Sequence, residues 1–167
     1  MKNSKNLELD KKNYILKIND TQIISKIQDL GGLLYDENKL TFLEAIYFTE
    51  KGVLELDKDE LWKFLKKDKL AQEKYAILRY FRDNGFIARL NLEDSAYFRV
   101  YQKGFRPGED RTKYLVKVID SSGKAKLSDI EKEMEIANNL RKELVLAYVD
   151  KKNQKPIFVK ISRTSFQ

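Results

Sequence analysis

Six consecutive residues near the end of the chain, 144–149 (LVLAYV), carry no charge. A segment so short and so apolar is expected to be a buried central strand, covered on both faces. A second stretch constrains the sheet further. Residues 96–101 (AYFRVY) alternate, with Ala96, Phe98 and Val100 on one face and Tyr97, Arg99 and Tyr101 on the other. Tyr101 thus ends its strand with the phenol on the polar face. A loop follows at 102–112, too rich in Gly, Pro and charge to be core, and it leads into another apolar strand at 114–119. Loops held between rigid strands are where chemistry concentrates.

Around this frame the periodicity switches between strand and helix. Residues 1–12 are polar and expected to be loose, 14–18 form a short strand, and 20–30 form a helix on Ile23, Ile24, Ile27 and Leu30 that Gly31-Gly32 ends. Thr41 and Glu44 have capping-box spacing, predicting a helix that runs to Lys51 and stops at a left-handed Gly52. A brief strand is expected at 53–56. Asp57 then caps a helix whose Trp62, Phe64 and Leu65 belong to a small core. The charged segment 66–72 reads as a join between two parts. From Glu73 a helix with a Tyr75, Leu78 and Phe81 stripe stops at Gly85, and 86–90 is a strand. Ser128 and Glu131 suggest a second capping box, opening a helix to Arg141 with Ile130, Met134 and Ala137 facing inward. A turn at 150–156 and an alternating strand at 157–161 complete the chain.

Two absences narrow the chemistry. Without cysteine there are no disulfides, no thiolate nucleophile and no zinc finger, which fits a reducing cytosol. Without histidine the commonest metal ligand is missing, and so is the one side chain that titrates unperturbed near neutrality. No apolar run approaches the ~20 residues that span a bilayer, and no basic leader precedes one, so a soluble, cytoplasmic protein with no membrane partner is expected. The net charge of +7 is unevenly held: residues 1–75 contain equal numbers of acidic and basic side chains, and the whole excess lies in 76–167. A basic half beside a neutral one suggests a polyanion on one side of the molecule.

The stretch Phe98-Arg99-Val100-Tyr101, the Gly/Pro loop after it, and Arg141-Lys142 followed by Leu144-Val-Leu-Ala-Tyr-Val-Asp150 together resemble the C-terminal domain of the archaeal tRNA-intron splicing endonucleases. Arg82-Asp83-Asn84-Gly85-Phe86 is similar to a further family segment, and Leu40 to Tyr47 with Lys51-Gly52 looks like the family's N-terminal domain. The resemblance implies an α/β fold of the α+β kind. A small mixed domain would occupy residues 1–72, and a nuclease-like domain, with a central mixed sheet flanked by helices, residues 73–167. It also implies a catalytic tyrosine at Tyr101 and a catalytic lysine at Lys142. The family's histidine falls on Arg111, and the Lys-Phe-Gly turn expected before the tyrosine strand is replaced by Glu93-Asp94-Ser95.

The family chemistry needs no metal and no cofactor. The ribose 2′-hydroxyl attacks its own phosphorus, with tyrosine as base, histidine as acid and lysine beside the phosphorane, leaving a 2′,3′-cyclic phosphate and a 5′-hydroxyl. Arginine at 111 can grip phosphate but cannot hand over a proton. Seven residues before Lys142, where the family carries a base-stacking arginine, stands Glu135. The expectation is therefore a structural, non-catalytic subunit of a heterotetramer, two plus two with a catalytic chain, docking precursor tRNA through Arg106, Arg111 and Lys113. The pairing strand would be Ile157, Phe158, Val159, Lys160 and Ile161, with Lys151 and Lys152 in the contact loop. Two alternatives stay open: an active metal-independent ribonuclease using Tyr101, Arg111 and Lys142, and a free-standing RNA-binding module. Taken singly, each site residue has a plainer explanation, because tyrosine favours wet strand ends and lysine answers a helix dipole.

Overall fold

The computed structural model describes residues 6–34, 36–93, 96–104 and 112–166. Two sheets and five α-helices make up the α+β architecture among these residues. The first sheet is β1 (Leu7–Asp10), β2 (Ile15–Ile18) and β3 (Lys39–Thr41), antiparallel throughout. Helix α1 (Thr21–Asp29) lies between β2 and β3, and α2 (Phe42–Glu50) and α3 (Lys58–Phe64) follow them. After a 3-10 turn at Leu65–Lys67 comes α4 (Ala71–Asp83), so the join expected at 66–72 is mostly helical. The second sheet runs β4 (Ala88–Leu90), β5 (Tyr97–Val100), β6 (Tyr114–Val118), β7 (Glu143–Val149) and β8 (Pro156–Ile161) in spatial order. It is mixed: β6 and β7 are parallel, joined over the sheet by α5 (Leu127–Asn139), and the other pairs are antiparallel.

Both faces of this sheet are covered. Phe98, Val116, Val145 and Ala147 on one face join a core that includes Leu78 and Phe81 of α4 and continues through Phe42, Ile46 and Phe48 of α2. Tyr97, Leu115, Leu144 and Leu146 on the other face pack with Met134 and Ala137 of α5. The face read as polar from Tyr97 and Arg99 is therefore apolar at its Tyr97 end: Tyr97 is buried under α5, while Arg99 is exposed.

Helix ends follow the capping chemistry at most positions. The Thr41 N–H donates to the Glu44 carboxylate at 3.0 Å, and the Glu44 N–H donates back to the Thr41 hydroxyl at 3.3 Å. Asp57 caps α3. Where sequence expectation fails, the reason is local. Residues 7–10 are a strand rather than loose chain, because Leu7 and Leu9 alternate onto the main core. No strand forms at 53–56: the Val53 and Leu54 N–H groups both donate to the Phe48 carbonyl, closing α2, so donors a strand would use are spent. Phe86 is likewise tied to Phe81, which leaves β4 only three residues. Ser128 is not a cap, since α5 begins one residue before it with Lys126 at the N-cap and no side-chain cap bond.

Candidate active site

Strand register decides which residues share an end of the sheet. Val100 lies opposite Tyr114, and Tyr114 opposite Glu143. Tyr101, Lys113 and Lys142, each one residue beyond those partners, therefore stand together at one end of three adjacent strands. Adjacent strands are ~4.8 Å apart, so β5 and β7 bracket a span of roughly 10 Å. Arg106 and Arg111 lie outside the described residues, as do Asp94 and Ser95.

Tyr101 is half-buried, and its N–H donates to the Ile87 carbonyl at 3.0 Å. Burial pushes its phenol above the ordinary value, with the Arg99 and Arg89 guanidiniums opposing. It is thus a neutral phenol at neutral pH. Lys142 is set by the way α5 ends. The Arg141 N–H donates to Asn138 and the Lys142 N–H to Ala137, a Schellman pair that requires a left-handed residue, and Arg141 takes it at φ 55°. After α1, α2 and α4 the same corner is filled by Gly31, Gly52 and Gly85. The turn delivers Lys142 to the head of β7, where its ammonium donates to both the carbonyl, at 3.1 Å, and the hydroxyl of buried Thr112. The Glu143 N–H donates to the Lys113 carbonyl at 2.9 Å, pinning the end of the 102–112 loop against Lys142. Lys113 itself is exposed, its ammonium 5.3 Å from the Tyr114 ring.

Thr112 was not singled out from the sequence, because its partner lies 30 positions later and no spacing rule connects them. Arg89 was missed for a similar reason. It is a buried charge inside an apolar strand, a signal in itself, but its partners come from the other half of the chain. Its guanidinium donates to Glu44 at 2.7 Å and to Glu37 at 2.6 Å. Burial opposes its charge, but the two carboxylates more than compensate and raise it above the usual arginine range. Arg99 sits directly opposite Arg89 on β5, and because Glu37 and Glu44 answer the Arg89 charge, the exposed Arg99 is the uncompensated cation nearest Tyr101 among these groups.

Glu135 is exposed on α5. Residues 157–161 lie in β8, which pairs only with β7 among the described residues and has Val159 43% exposed. Lys151 and Lys152 are exposed in the β7–β8 turn, at the opposite end of β7 from Lys142.

Residues 71–157 match the family described as tRNA intron endonuclease, catalytic C-terminal domain. A "tRNA-splicing endonuclease" of Methanothermobacter thermautotrophicus is 30% identical over 126 residues, covering 72% of this chain and 74% of that one. Its namesake in Pyrococcus horikoshii is 33% identical over 128 residues, 72% of this chain and 73% of the relative. A third, from Methanococcoides burtonii, is 29% identical over 69% of this chain but only 34% of its own length. No helix among the described residues is long and apolar enough to cross a membrane. With over half of its length inside the match and its strands ordered around the tyrosine and lysine positions, this chain belongs to the tRNA intron endonuclease family.

Proposed function

We propose that this chain is the structural, non-catalytic subunit of a hetero-oligomeric, cytoplasmic endonuclease that excises introns from precursor tRNA. The observation that carries the reading is the absence of histidine from the sequence, with Arg111 at the family's histidine position. Cleavage by 2′-hydroxyl attack needs a proton for the departing 5′-oxygen, and a guanidinium with a pKa above ~12 does not supply one. Loss of an acid or base group costs ~10²–10⁴ in rate. Tyr101 and Lys142 are the remaining two positions of the family triad, and Glu135 replaces the cation that would stack on a flipped base. Residues 1–72 serve as a supporting α/β domain and residues 73–167 as the endonuclease-type domain.

The partner in this reading is a histidine-bearing chain of the same family, assembled two plus two. Strand β8 offers the pairing edge, and Arg106, Arg111 and Lys113 contact the RNA backbone. The test is a cleavage assay on an intron-containing precursor tRNA. The chain alone should leave the transcript intact and restore cutting when mixed with a histidine-bearing subunit that is inactive by itself. Splice-site cleavage by the pure chain, abolished by Arg111→Ala, would overturn it. A second reading, an active metal-independent ribonuclease using Tyr101, Arg111 and Lys142, draws on Tyr101 and Lys142 standing at one sheet end; its mark would be a pH–rate profile with no inflection near neutrality.

A further inference from the structure

The charge balance of residues 1–75 changes character on folding. Several carboxylates of that half are turned toward partners: Glu44, 1% exposed, and part-buried Glu37 hold Arg89, part-buried Asp68 holds Lys74 at 2.6 Å, and the exposed Glu50 accepts from the Tyr75 hydroxyl and pairs with Lys58. No buried carboxylate holds Lys12 in the β1–β2 hairpin, where the exposed Asp10 lies nearby, nor Lys39 on β3, nor Lys67 in the 3-10 turn. All three are exposed, none forms a salt bridge among the described residues, and all three line one cleft of about 730 Å³. Lys39 closes a cross-strand row in which Lys17 on β2 has Glu8 of β1 opposite it on one side and Lys39 on the other, so the acid of the row stands beside Lys17 and Lys39 is the outer cation. Of the acids that line the cleft, Asp68 pairs with Lys74, and the exposed Glu93 leaves one carboxylate against the three exposed ammonium groups.

We infer that this cleft is a second RNA-backbone site, remote from the Tyr101 and Lys142 end of the sheet. Its remoteness follows from register: Leu92 and Glu93 in the cleft follow the end of β4 where Leu90 meets Phe98, and Tyr101 lies beyond Val100, which meets Ala88 at the other end. A polyanion suits it better than an acidic protein segment. Protein partners need a desolvated apolar anchor; here the apolar lining is buried at Phe42, Leu43 and Leu65 and only part-exposed at Tyr14, Ile15 and Leu92, so the charged groups that stand exposed are Lys12, Lys39, Lys67 and Glu93. Three hydrated ammonium groups spread over three elements are instead the footprint of phosphate contact without base reading. That the polyanion is RNA rests on the proposed function.

The experiment is fluorescence anisotropy of a labelled, intron-containing precursor tRNA with the full chain, over a range of salt. The triple variant Lys12→Ala, Lys39→Ala, Lys67→Ala is compared with wild type after thermal melting shows both are folded. Each lysine on a phosphate adds about one to the slope of log K against log salt, so the triple variant should lose roughly three. The fall in affinity between about 50 and 200 mM salt then shrinks by a factor of roughly 40. An unchanged slope in the triple variant, with Lys113→Ala flattening it, overturns the cleft and leaves the subunit reading standing. A flattened slope in a chain that fails to restore cutting to a histidine-bearing partner does the reverse. Stronger competition by polyglutamate than by unlabelled tRNA would also overturn it, in favour of an acidic protein.

Discussion

Arg141 occupies a backbone corner that the chain elsewhere reserves for glycine. The left-handed region costs a residue with a Cβ about 1–2 kcal/mol relative to its ordinary conformations. Arg141→Gly removes that cost and adds some unfolded-state entropy. The expected outcome is a gain of about 0.5–1 kcal/mol in urea unfolding, with the Lys142 contact to Thr112 retained. A loss of stability would mean that the arginine side chain itself holds the turn. The opposite economy operates at Arg89, where the side chain is the structure: removing one member of a buried ion pair commonly costs about 3–5 kcal/mol, because the other is left charged without water. The sequence made Thr41, Asp57 and the three glycine corners legible, since each acts within four residues of itself. Thr112 and Arg89 act across 30 and 45 positions, and no local pattern carries that information.

Among the elements, β5, β6 and β7 could be read from alternation and apolar runs because burial on both sides of the sheet leaves a strong imprint. The weaker strands could not. Leu7–Asp10 gains its pairing from β2, and the would-be strand at 53–56 loses its donors to the end of α2. The site's loop is set between two legible strands, while Arg106 and Arg111 within it lie outside the described residues. Strand β8 carries the assembly prediction. It is an outer strand with Val159 43% exposed and Lys160 paired to Glu143 at 3.1 Å. Val159→Lys places a charge on an already wet position, so the isolated chain should keep its unfolding midpoint within about 0.5 kcal/mol. An edge charge opposes strand addition. Light scattering of the mixture with a histidine-bearing partner should then show the complex lost, whereas an intact complex would place the subunit contact elsewhere.

At the scale of the whole molecule, the missing histidine becomes a statement about pH. Burial, helped by Asp83, pushes the Tyr47 phenol up to about 12, and burial with a bond to Glu50 raises Tyr75 as well. A phenol raised above its ordinary value of 10.0 contributes stability that is complete below about pH 10 and drains away as the pH climbs toward 12. On the acid side burial works against the charge of Glu37, but Arg89 holds it below the ordinary carboxylate value; Lys51 and Tyr47 do the same for Asp83. That contribution is complete above about pH 5 and is lost as pH falls through the folded values. Unfolding free energies should thus form a plateau from about pH 5 to 9 and decline on both flanks. A step near pH 6.5 in urea midpoints would contradict this account.

The Arg89–Glu44 pair joins an α2 side chain to a β4 side chain, so one core and a buried ion pair run through both halves. Grafting either half onto a relative accordingly carries a matching rule. The donor must bring a compatible residue at 44 or at 89, and a chimera that mismatches them encloses a naked ion where water does not reach.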